Sequence, residues 1–121
     1  MQVRGKVPPL LLGLFMTLII VAGFSYAEPE ATLGEAGRVI FFHIPAAWVA
    51  VLSFFLSMVS SVLYLRRGKV IDDHGAVAAA ELGLIFTVIA TITGAIFANL
   101  AWGTPWNWDP RQTTIFILLW Y

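Results

Sequence analysis

No charged residue falls between Lys6 and Glu28, so residues 7–27 form an apolar run of 21 residues. As a helix rising 1.5 Å per residue it reaches about 31 Å, the thickness of one hydrocarbon core. Two more runs follow, at 39–65, interrupted by His43 and Pro45, and at 76–101, with Glu81 near its start. Hydrophobic residues make up 60% of the 121 and charged residues 12%, where a soluble domain carries about 45–50% and about 25%. A globule of this size has too little interior to hide that much apolar surface. The chain therefore reads as all-α: a polytopic transmembrane helix bundle with three full helices and the start of a fourth.

The spans are expected at 7–27, 39–65 and 76–101, then a tryptophan-rich segment at 102–113 and a fourth helix beginning at 113–121, all in one integral-membrane domain. Pro8 and Pro9 stand at the start of the first run, where missing backbone donors cost little. Ser25-Tyr26-Ala27 has the small-x-small form of a signal cleavage site, but the run exceeds the roughly 7–15 residues of a signal core, which favours a retained helix. Arg4 and Lys6 precede the first run, and Arg66, Arg67 and Lys69 follow the second; the other two polar segments hold only Arg38 and Arg111. Cations collect on the cytoplasmic side, which places the N-terminus and the 66–74 loop inside, and the 28–38 loop and the tryptophan segment outside. The last run has nine residues, about 13 Å of helix and under half of a core of about 30 Å. The expectation is a truncated protein or a fragment whose missing part completes this helix. Ser53, Ser57 and Ser60 or Ser61, and Gly83, Thr87, Thr91, Gly94 and Ala98, recur at helical spacing as stripes along which membrane helices pack closely.

The zero net charge gives no pull on nucleic acid. The absence of cysteine excludes disulfides, thiolate metal sites and covalent thioether capture of a cofactor. What remains is concentrated in Trp-Gly-Thr-Pro-Trp-Asn-Trp-Asp-Pro-Arg-Gln-Thr, residues 102–113, which holds three of the five tryptophans. Indoles favour the membrane–water boundary, and a cluster this dense suggests a flat aromatic platform at the bilayer surface. Asp109 has a mechanical reading as the N-cap of helix four, with Pro110 at the first helical position and Gln112 closing a capping box; ligand contact is compatible with that. Arg111 in the first turn opposes the helix dipole, which a partner anion would offset. With Arg38 it could meet two carboxylates of one ligand through charge-assisted bonds.

His43 is the sharpest single residue. An ionisable group in an apolar run is costly and hence a functional candidate, and neutral imidazole is a common metal ligand and a proximal ligand of haem iron. The plain alternative is a histidine at the interface bonded to a carbonyl. His74, after Asp72 and Asp73, reads as a solvated loop residue. Glu81 reads as a carboxylate reaching for the interface, or as one member of a proton relay.

Residues 102–113 resemble the tryptophan-rich "WWD" signature of the haem-handling proteins of cytochrome c biogenesis. Residues 38–48, Arg-Val-Ile-Phe-Phe-His-Ile-Pro-Ala-Ala-Trp, resemble the segment ahead of that signature in the CcmC family of haem exporters. The resemblance runs through helices one to four. It implies six transmembrane helices in the cytoplasmic membrane and non-covalent haem b held against the tryptophan segment on the outer face. It also implies two axial histidines from flanking outer loops. His43 matches the first of these; Trp102, Gly103, Trp106, Trp108, Asp109 and Arg111 match the platform. The second histidine belongs to a loop between helices five and six, beyond residue 121. The implied partners are a periplasmic haem chaperone, which later supplies apocytochrome c, and the subunits of an ATP-binding-cassette complex. The expected role is a haem carrier and transfer platform, with Arg38 and Arg111 for the propionates, and not an enzyme. The rivals are a structural membrane anchor and a quinone- or proton-handling subunit using Glu81 and His43.

Overall fold

A computed structural model of the chain describes residues 8–26, 28 and 31–120. Four helices follow one another: α1 Pro9–Tyr26, α2 Glu35–Arg67, α3 Val70–Trp102 and α4 Pro110–Trp120. The first three are long and apolar enough to cross a membrane. Among the described residues there is no strand. The molecule is a polytopic helical membrane protein. Positions 7, 27 and 121, where the first and fourth spans were expected to begin or end, lie outside the described residues.

The helices outrun the apolar runs. α2 begins at Glu35 and not near 39, and α3 at Val70 and not near 76. Glu35 occupies the first turn of α2, Asp72 and Asp73 the first turn of α3, and Arg66 and Arg67 the last turn of α2. Each charge complements the helix dipole at its end, so polar residues prolong the helices instead of ending them. The loop expected over 66–74 shrinks to Gly68 and Lys69, and His74 rides on α3, exposed. Gly68 makes the turn possible: it sits at φ 63 and donates its N–H to the Tyr64 carbonyl at 2.7 Å. With 33 residues each, α2 and α3 are about 50 Å long, well over a core of about 30 Å, so they must tilt or project from it.

α2 and α3 form an antiparallel hairpin that carries the bulk of the tertiary contact. Their interface is built from small side chains: Ala46, Ala50 and Ser53 face Ala76, Gly83, Thr87, Ala90 and Ala98, all buried. Thr87 is the largest side chain fully buried. Leucine, isoleucine and phenylalanine point outward in numbers instead, as expected where the solvent is as apolar as the side chain and close backbone approach decides packing. The Phe54 ring lies over Gly83, where a Cβ would stand 3.1 Å from it. Ser57 donates across the hairpin to the Ala76 carbonyl at 2.8 Å. Thr87 and Thr91 satisfy their hydroxyls on their own helix, donating to the carbonyls of Gly83 and Thr87. α1 touches α2 through stacked rings, Phe24 on Phe42, with centroids 4.8 Å apart. Pro45 lies inside α2 without ending it. It lacks the N–H that would bond the Phe41 carbonyl one turn back.

Candidate functional site

His43 lies in the third turn of α2, half-buried against α3. Its Nδ1 is 3.0 Å from the Ala90 carbonyl oxygen and 3.2 Å from Thr93 Oγ1. The ring rests on Gly94: a Cβ there would meet His43 Cε1 at 2.9 Å and Nδ1 at 3.3 Å. No hydrogen bond reaches Nε2 from the described residues. The plain reading, a histidine bonded to a carbonyl, thus holds for one ring nitrogen and leaves the other open.

The tryptophan segment is a loop tied to itself at many points. α3 ends because Gly103 adopts φ 76 and donates its N–H to the Asn99 carbonyl. Thr104 donates to the Trp106 carbonyl at 3.0 Å. Asp109 Oδ1 accepts from the Gln112 amide at 2.9 Å, capping α4 behind Pro110 as expected. The return bond of a capping box is displaced. The Gln112 side-chain oxygen accepts from the Asn107 amide at 2.8 Å, because the Asp109 amide is already donating to Asn107 Oδ1 at 3.1 Å. Gln112 also donates from Nε2 to the Pro105 carbonyl at 3.3 Å. The Asp109 carboxyl is held below the usual carboxylate range, chiefly by the Gln112 amide and further by Arg111. Arg111 pairs with Asp109 Oδ2 at 2.9 Å and stands 5.6 Å from the centroid of the Trp102 ring, a cation–π contact.

The indoles do not form a flat platform. Trp106 and Trp108 meet edge to face, 5.4 Å apart with planes at 90°. Trp108 also meets Phe116 of α4 at 79°. Trp102 lies edge-on to Phe97 at 84°. Edge-to-face pairing is one of the two arrangements that the ring quadrupole favours, and the α4 ring at Phe116 supplies a partner that a surface platform would lack. Trp108 has φ 59, in the left-handed region that side chains other than glycine, asparagine and aspartate rarely occupy. The loop imposes that conformation by bonding on both sides of it: Thr113 donates to the Trp108 carbonyl and Asn107 takes the next amide.

His43 and the loop open onto one groove of about 380 Å³, within the range of small-molecule sites. α2 supplies Ile40, His43 and Ala47, and α3 supplies Ala90, Gly94 and Phe97. Trp102, Trp106, Asp109, Arg111 and Gln112 close the loop end. The structure therefore brings His43, Trp102, Trp106, Asp109 and Arg111 together. Trp108 faces Phe116 and does not line the groove; Gly103 terminates α3 beside it. Arg38 is not among the groove's residues either. Its guanidinium bonds both Glu35 carboxylate oxygens one turn back on α2, at 3.2 and 2.9 Å. Glu81 is exposed on α3 away from the groove. Sequence reasoning placed Gly94 in a packing stripe and passed over Ala90 and Thr93. Nothing local marks them, since they reach His43 only through the hairpin's register.

Fold and groove together define a multi-pass helical membrane protein with one imidazole, two indoles and an arginine around a single cleft between its central hairpin and the loop that follows. The profile of the heme exporter protein C family, CcmC, matches residues 1–121. Heme exporter protein C of Rhodobacter capsulatus is 37% identical over 121 residues, 98% of this chain and 50% of that protein. The same-named protein of Paracoccus denitrificans is 41% identical over 99 residues, 82% of this chain and 41% of that one. A putative cytochrome c biosynthesis ccmC-like mitochondrial protein of Marchantia polymorpha is 37% identical over 92 residues, 76% of this chain and 40% of its own length. The chain belongs to the CcmC family. It spans between two fifths and half of the length of these relatives.

Proposed function

We propose that the groove holds haem as cargo for cytochrome c maturation, with His43 Nε2 as one axial ligand to the iron. The supporting observation is the conjunction in one cleft of an imidazole whose Nε2 has no hydrogen-bond partner among the described residues, the Trp102 and Trp106 indoles and the Arg111 guanidinium. The donor set suits an iron porphyrin on one axial side. Nitrogen meets the metal, aromatic surface meets the macrocycle, and Arg111 can leave Asp109 for a propionate, both being carboxylates. Arg38 serves this function less directly, because it does not line the groove, whereas Arg111 does. Trp108 and Gly103 shape the loop.

The chain contributes binding and orientation, and no bond of the cargo need break. Haem b taken up without covalent attachment suits a chain that lacks cysteine. The relatives' printed names speak of haem export and cytochrome c biosynthesis. On the family resemblance, the second axial histidine, the periplasmic haem chaperone that receives the cargo and the ATP-binding-cassette subunits complete the system. The cation distribution supports a cytoplasmic N-terminus with the tryptophan loop on the outer face of the inner membrane.

The test is a titration of the purified protein in detergent with haemin, followed at the Soret band. Binding is expected, with His43→Ala shifting the band and weakening uptake and His74→Ala behaving as the parent protein. Failure to take up haemin, or equal loss from both substitutions, overturns the reading.

A further inference from the structure

We propose that Thr93 and Gly94 of α3 are positioning residues for His43: with the Ala90 carbonyl they hold the imidazole as its Nδ1–H tautomer and turn a bare Nε2 toward the groove. The chemistry of the contacts decides the tautomer. A carbonyl oxygen can only accept, and Ala90 O lies 3.0 Å from Nδ1. A proton on Nε2 would instead set the Nδ1 lone pair against the carbonyl's lone pairs. Thr93 agrees with this. Its hydroxyl donates to the Ile89 carbonyl at 2.8 Å, which leaves a lone pair to accept from the same Nδ1–H at 3.2 Å. The hydrogen of Nδ1 is thus shared between two oxygens one turn of α3 supplies.

Gly94 is the steric half of the seat. The ring can come within reach of Ala90 and Thr93 only because position 94 has no side chain. A Cβ there would lie 3.3 Å from Nδ1, a tight contact, and 2.9 Å from Cε1, closer than Cβ contacts come, so the ring would have to shift from its acceptors. Two independent features, a pair of acceptors and a cradle shaped to the ring, therefore fix the same orientation. A ligating histidine is commonly oriented in this way through its other nitrogen, and loss of such a partner costs about 10–100-fold in metal affinity.

The tautomer does not depend on the haem reading; only its use does. Histidine labelled with ¹⁵N gives few signals here, because the chain has two histidines, and His74→Gln identifies which belongs to His43. In haem-free protein, the spectrum of the neutral His43 ring is expected to place the proton on Nδ1. Gly94→Ala and Thr93→Val are expected to mix or reverse the tautomers and weaken haemin binding by about 10–100-fold, with Thr93→Ser restoring both. A proton on Nε2 in the parent protein, or Gly94→Ala and Thr93→Val spectra identical to the parent's, overturns the proposal. The expected tautomer in a protein that binds no haemin supports the seat and removes the haem reading alone.

Discussion

Asp109 does two jobs with one carboxylate: Oδ1 caps α4 and Oδ2 holds Arg111 against Trp102. The groove's cation is therefore positioned by the same residue that starts the helix. The capped, ionised form is favoured in the fold, so the folded pKa lies below the unfolded value of about 3.9. Its stabilisation is complete above that value and is lost as pH falls through the folded pKa. We predict that tryptophan fluorescence from the loop is flat from neutral pH to about pH 5 and changes below about pH 4. Asp109→Asn, which still offers a capping oxygen, should remove the acid step. The spacing of Asp109, Pro110 and Gln112 made the cap legible in the sequence. The displaced return bond to Asn107 was not, because Asn107 competes through a turn whose geometry no spacing rule contains. Ring planes were equally out of reach: Trp108 is turned by Phe116, eight residues on, and by a backbone conformation unusual for its type.

At the scale of elements, the α2–α3 hairpin sets the site by fixing which turn of α3 faces His43. That register is held by backbone proximity. The stripes of Ser53, Ser57, Gly83, Thr87 and Ala98 were readable as helix-packing faces from their spacing alone, and they do pack. The ends of the helices were not readable. A run of charge marks where a chain leaves lipid, while a helix continues as long as its backbone bonds and end charges favour it, as they do through Arg66–Arg67 and from Val70 onward. The two kinds of contact should respond differently to substitution. Ser57→Ala removes one interhelical hydrogen bond and should cost about 0.6 kcal/mol, the mean for such bonds in lipid. Gly83→Leu drives a branched side chain into the Phe54 ring, which already stands 3.1 Å from where a Cβ would lie, and should cost several times more. Unfolding in mixed micelles, read by helicity, ranks them; equal costs would mean that close approach at Gly83 does not govern the hairpin.

For the whole molecule, the decisive fact is that residues more than sixty positions apart share one groove. A histidine near the start of α2 and a loop from the last fifth of the chain converge because α2 and α3 run antiparallel, which returns the end of α3 to the start of α2. α1 stands largely apart, tied by one ring stack, and adds nothing to the groove's lining. The same-side placement of His43 and the tryptophans followed from counting spans in the sequence; their convergence on one cleft needed the fold. A zinc porphyrin takes a single axial nitrogen and is diamagnetic, so it reports position by ring-current shifts. We predict that zinc protoporphyrin added to ¹⁵N-labelled protein shifts His43 Nε2 and the indole N–H signals of Trp102 and Trp106 together, at one stoichiometry. Trp48 and Trp120, which do not line the groove, should stay in place. Movement of Trp48 or Trp120 without His43, or of His43 without the loop indoles, would contradict the single-groove account.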